Sequence, residues 1–119
     1  WKRHEALARA TRAGIEAIGL KPFAPTAPSP ALTSVLAPEG IDSGAVNKTF
    51  RDGFGVSIAG GQGKVKGKVF RLGHLGYVDG SDVILGMAVC EMTLTKLGHK
   101  VPLGAGVKAV EEIVLAENL

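Results

Sequence analysis

Two spacings of apolar residues alternate along this chain, and glycine or proline marks most breaks between them. Leu7, Thr11, Ile15 and Ile18 fall at i, i+4, i+8 and i+11, one stripe of a helix of about 3.6 residues per turn. That stripe predicts a helix over residues 1–18, with Arg9, Arg12 and Glu16 mostly off it. Gly19 is its C-cap and Pro22 forbids continuation. Pro22, Pro25, Pro28 and Pro30 make residues 21–30 an extended connector. Residues 31–37 are rich in β-formers and predict a strand, which Pro38-Glu39-Gly40 ends. Asp42 or Ser43 then caps a helix to about residue 54, with Val46, Phe50 and Phe54 on one stripe.

The period then shortens. Val56-Ser57-Ile58-Ala59 reads as a short strand and Lys68 to Gly73 as another, with Phe70 and Leu72 on one face and Val69 and Arg71 on the other. Helical spacing returns after Ser81 or Asp82, where Val83, Met87, Cys90, Leu94 and Leu97 form a stripe closed by Gly98. Residues 105–117 predict a last helix with Val107, Val110 and Val114 aligned. The order is α-β-α-β-β-α-α. It implies an α+β fold, a small sheet of about three strands with helices packed on one face. Residues 1–20 lead into one small domain, residues 21–119. The other sheet face, carrying Arg71, is left wanting a partner.

Composition narrows the classes. At 119 residues the chain has the size of one domain. A hydrophobic share of 45% against 21% charged excludes a disordered chain. The net charge of +3 is too weak, without clustering, to imply nucleic acid. A single cysteine excludes a disulfide framework and a cysteine-based zinc site. No apolar run approaches about 18 residues, so no membrane partner is expected. Trp1-Lys2-Arg3-His4-Glu5 is no signal peptide. The expectation is a cytoplasmic chain. An organelle stays open because there is no initiator Met, and the chain reads as a fragment or processed product.

Candidate chemistry gathers at the glycines. Gly60-Gly61-Gln62-Gly63 can expose backbone N–H donors and admit a ligand closely, or can simply turn a hairpin. Neither Gly63-Lys64 nor Gly67-Lys68 completes a Walker loop. Gly104-Ala105-Gly106-Val107-Lys108-Ala109 fits G-x-G-x-x-A but follows no convincing strand, which favours plain helix capping over a dinucleotide site. Gly60-Gly61-Gln62 is shared with peptide-release factors, but the following residues do not continue that pattern. Lys64, Lys66 and Lys68 suit an anion or a solvated hairpin edge. Arg71, mid-strand between Phe70 and Leu72, offers a planar fork to a carboxylate, or pairs with a local acid. His4, His74 and His99 lie too far apart in sequence to suggest a metal site, although His74 could line the Arg71 region. Cys90, on an apolar stripe, reads as a buried inert thiol.

The stretch Gly55-Val56-Ser57-Ile58-Ala59-Gly60-Gly61-Gln62-Gly63, followed by Gly67-Lys68-Val69-Phe70-Arg71-Leu72-Gly73-His74-Leu75-Gly76, resembles the small C-terminal domain of class V pyridoxal-phosphate aminotransferases. The branch is that of the alanine–glyoxylate, serine–glyoxylate and serine–pyruvate enzymes, with relatives named as a soluble hydrogenase small subunit. Pro38-Glu39-Gly40-Ile41-Asp42 and the opening helix also fit, so the resemblance covers nearly the whole chain. It implies the C-terminal domain of a fold-type I aminotransferase that moves an amino group between serine or alanine and an oxo acid such as glyoxylate or pyruvate.

In that resemblance Arg71 pairs with the substrate carboxylate, and Gly60, Gly61, Gln62 and Gly63 form a loop near the active-site mouth. Pyridoxal 5'-phosphate is the cofactor. The lysine that holds it, the aspartate facing its ring nitrogen and most phosphate contacts lie in a larger N-terminal domain outside this sequence. None of Lys64, Lys66 or Lys68 matches that lysine, so no catalytic residue is expected here and the isolated chain is expected to be inactive. The remaining partners implied are that large domain and a second copy in a homodimer. Two alternatives differ in class: a non-catalytic subunit or interaction module, and an RNA-binding role through Gly-Gly-Gln with salt-sensitive affinity.

Overall fold

A computed structural model of the protein describes residues 2–22, 32–54, 59–60, 69–73 and 80–119. Helix α1 spans Lys2–Ala17, strand β1 Lys21–Pro22, β2 Leu32–Leu36, α2 Ser43–Phe54, β3 Ala59–Gly60, β4 Val69–Gly73, α3 Gly80–Lys96 and α4 Ala105–Glu117. The described strands form one antiparallel sheet in the order β1-β2-β4-β3.

This sheet has four strands, one more than the pattern predicts. The extra strand begins the segment expected to be a connector. Pro22 lacks a backbone donor, which suits it only to a sheet margin, and β1 is the outermost strand beside β2. Gly60, expected in the loop, instead ends β3 opposite Phe70. The predicted strand segment 56–58 lies outside the described residues, as do residues 23–30 of the connector and residue 31 of the next predicted strand.

The helices follow their predicted spacing. Leu7, Thr11, Ile15 and Ile18 are all buried. Burial around α1 is wider than that stripe and includes Ala6, Ala8, Ala10 and Gly14, because α1 is covered by both α3 and α4. The helix stops by backbone geometry. Gly19 takes a left-handed φ of 84°, its N–H reaches the Glu16 carbonyl, and the Leu20 N–H reaches the Ile15 carbonyl. Gly98 repeats the device after α3, where the Gly98 N–H donates to Thr95 and the His99 N–H to Leu94.

Glycine lets the helical layer close. A Cβ at Gly14 would stand 2.9 Å from a Val110 methyl, and one at Gly106 would stand 2.9 Å from Met87 Cγ and 3.0 Å from an Ile18 methyl. So α1, α3 and α4 meet at contact distances that a larger side chain would block. Val35 from β2 and Val46 from α2 are fully buried in the same core as Leu7, Ile15, Met87, Leu94 and Val110. The sheet and helices therefore share one core. Arg9 also meets Glu117 across α1 and α4 at 2.9 Å, but both side chains are about half exposed and add little.

Candidate functional site

Arg71 sits at the centre of the sheet. Its strand, β4, is paired on both sides, with Ser34 of β2 and Ala59 of β3 opposite Arg71. Adjacent Phe70 stands opposite Val35, which is fully buried. Strand residues alternate between faces, so position 71 belongs to the sheet face opposite the core. A backbone held by neighbours on both sides is a firm base for a charged fork.

The fold also brings the first residue of the glycine loop to Arg71. Gly60 faces Phe70 in the last described pair of the β3–β4 hairpin, one step from Arg71. Gly61, Gln62 and Gly63 belong to the connection that follows and lie outside the described residues. Lys64, Lys66, Lys68 and His74 also lie outside them. His99 is far along the chain, after α3, and His4 opens α1. Among the described residues no group of His, Cys, Asp and Glu could hold a metal ion.

The second glycine cluster has a different use. Gly104 adopts a left-handed φ of 91° before α4 and supplies no side-chain cap. Instead Glu91, 4% exposed on α3, reaches across to this helix start. Its Oε1 accepts from the Gly104 N–H at 2.9 Å, and its Oε2 accepts from Gly106 N–H at 2.8 Å and Val107 N–H at 3.2 Å. The carboxylate satisfies donors that a helix N-terminus leaves open and complements its dipole. A phosphate would need the same donors, so the G-x-G-x-x-A segment is a helix cap and not a dinucleotide site. Glu91 escapes the sequence pattern because its partners lie 13–16 residues downstream. Two signals existed. An acid stands beside Cys90 at the edge of an apolar stripe, and the helix after Gly104 has no Ser, Thr, Asp or Asn to cap it.

Cys90 is the thiol the pattern expected. It is fully buried, and its pKa is pushed from 9.0 to about 12, first by burial and then by the neighbouring Glu91 charge. A thiol held in that form is a poor nucleophile at neutral pH.

Comparison with known proteins gives one consistent neighbourhood. No protein-family model matches the chain. The serine–glyoxylate aminotransferase of Hyphomicrobium methylovorum is 43% identical over 114 residues, 92% of this chain and 28% of the relative. The soluble hydrogenase small subunit of a Synechococcus strain is 36% identical over 116 residues, 96% of this chain and 30% of the relative. The crystal structure of pyridoxamine–pyruvate aminotransferase from Mesorhizobium loti matches with a TM-score of 0.93 at 32% identity, covering 98% of this chain and 31% of that one. The chain thus spans about 30% of the length of the proteins it matches.

Proposed function

We propose that this chain, which is similar to aminotransferases and spans about 30% of their length, is the substrate-carboxylate-binding part of a larger enzyme. The whole enzyme moves an amino group between a small amino acid, serine or alanine, and an oxo acid such as glyoxylate or pyruvate. Arg71 grips the carboxylate common to both substrates. Its guanidinium presents parallel donors that match the two carboxylate oxygens, and so fixes the orientation of the reacting carbon. The observation that carries this reading is the position of Arg71, central in the sheet, on the face away from the core, one register step from Gly60. The same reading gives Gly60, Gly61, Gln62 and Gly63 the role of an active-site loop.

Transamination needs pyridoxal phosphate, and the described residues do not fit it. Lys21, Lys48, Lys96, Lys100 and Lys108 are exposed, without the enclosure that a Schiff-base lysine needs. The glycine-rich start of α4, the described segment most like a phosphate cradle, is filled by Glu91. On this reading the cofactor's lysine and phosphate ligands belong to a larger domain outside these 119 residues. A homodimer completes the proposed assembly.

The test is Arg71→Ala in the intact enzyme, with steady-state kinetics on carboxylate substrates. Loss of a charge-assisted pair predicts a fall in kcat/KM equivalent to about 2–5 kcal/mol where the whole enzyme encloses that pair. Unchanged kinetics would remove Arg71 from the substrate site. One observation favours a second reading, a non-catalytic subunit: the match to the soluble hydrogenase small subunit covers nearly as much of the chain. On that reading the native protein forms a specific complex, carries no pyridoxal absorbance, and is indifferent to amino donors.

A further inference from the structure

The ends of three elements leave a cleft of about 320 Å³ lined by Gly19, Leu20 and Lys21 after α1, Leu36 to Glu39 after β2, and His99 after α3. We propose that this cleft binds a free α-amino acid with an apolar side chain, as a zwitterion. The site does not use Arg71.

The register explains why the cleft exists. Lys21 pairs with Leu36, and β1 and β2 are antiparallel. Gly19 and Leu20 therefore lie on the same side of that pair as Ala37 and Pro38, where the two segments leave the sheet and part. Each wall is pinned by its own backbone turn. The Leu20 N–H bonds to Ile15, the Ile41 N–H bonds to Pro38 ahead of left-handed Gly40, and the His99 N–H bonds to Leu94. Walls fixed before a ligand arrives save it the entropy of ordering them. A larger hollow beside it is lined by residues 36–42 alone, one continuous segment, so it offers a ligand no opposing wall.

The lining has two characters. Leu20, Leu36, Ala37 and Pro38 give an apolar surface suited to an aliphatic side chain. Lys21 and Glu39 bring one charge of each sign, both are exposed, and neither makes an ion pair with the other. Lys21 suits a carboxylate and Glu39 an ammonium group. The polarity of the helices acts in the same sense as Glu39. Both α1 and α3 end at the cleft, and the carbonyl end of a helix favours a cation. A zwitterion satisfies both charges together, whereas a simple acid or amine leaves one unused. His99 closes the third side, and its ring can donate to the carboxylate or accept from the ammonium group.

The probe is α-methylleucine, which has no hydrogen on its α-carbon and so cannot be transaminated, titrated into the intact protein by calorimetry. Saturable binding is expected. Lys21→Ala should weaken it about tenfold, and Glu39→Gln by a similar factor. Both residues are exposed, so neither change disturbs the core. The pair of analogues sharpens the assignment: Lys21→Ala should not affect the weaker binding of isopentylamine, and Glu39→Gln should not affect that of 4-methylpentanoate. Absence of saturable binding overturns the proposal. So does binding indifferent to Lys21 and Glu39, or binding that Arg71→Ala abolishes.

Discussion

The starts of α2 and α4 solve the same problem in opposite ways. At α2 the cap is local. Asp42 Oδ2 accepts from the Gly44 N–H at 2.8 Å, while its own carbonyl accepts from Ala45 and Val46. At α4 no neighbouring side chain serves, and a carboxylate arrives from another helix to take three N–H donors. The first cap is exposed and can form with its helix alone. The second is buried and can form only when α3 and α4 are already side by side. A local cap stabilises a helix. A cap borrowed across the core also fixes how two helices dock.

The largest test of that contrast is Glu91→Ala. It leaves three helix-start N–H groups unmet, the Gly106 donor among them in a buried place, and should cost about 3 kcal/mol in urea denaturation of the intact protein. A loss no greater than an ordinary surface substitution would show that water replaces the carboxylate at little cost. Asp42→Ala should cost about 1 kcal/mol, the usual value for one exposed N-cap. If the two losses were equal, burial would not be what separates the caps.

The smallest effect appears only in alkali. Burial, then Glu91, raises the Cys90 thiol to about 12, so the folded protein keeps this proton when the unfolded chain has lost it near pH 9. The folded pKa is the higher one. The contribution is therefore complete below pH 9 and is lost as pH climbs towards about 12. Urea midpoints of the native protein should fall across that window, and Cys90→Ala should flatten this part of the fall. Glu91→Gln, which removes the nearby charge, should move the thiol back towards its ordinary value. An identical alkaline profile for Cys90→Ala and the native protein would deny the thiol any part.

Wherever one residue's neighbours in sequence were also its physical partners, the sequence was legible. The buried stripe of α1, the glycine stop at position 19, the Asp42 cap and the bounds of α4 all rest on contacts within about one or two helical turns. The likeness to aminotransferases was also readable, because the Lys-Val-Phe-Arg-Leu-Gly stretch carries it in contiguous residues. The second glycine cluster was harder. Gly104 and Gly106 look like a ligand loop until the position of Glu91 is known.

By itself, then, the sequence determined the helices, most of their ends and the α+β class, since spacing and caps are short-range properties of a chain; the start of α3 is the exception, at Gly80 and not after Ser81 or Asp82. Only the tertiary structure decided that β1 joins the sheet, that Gly60 stands one step from Arg71, and that Glu91 fills the start of α4. The reason is physical. Strand pairing and a buried carboxylate draw their free energy from partners distant along the chain. Local pattern states that such a group needs a partner, and the closing of the core selects which one.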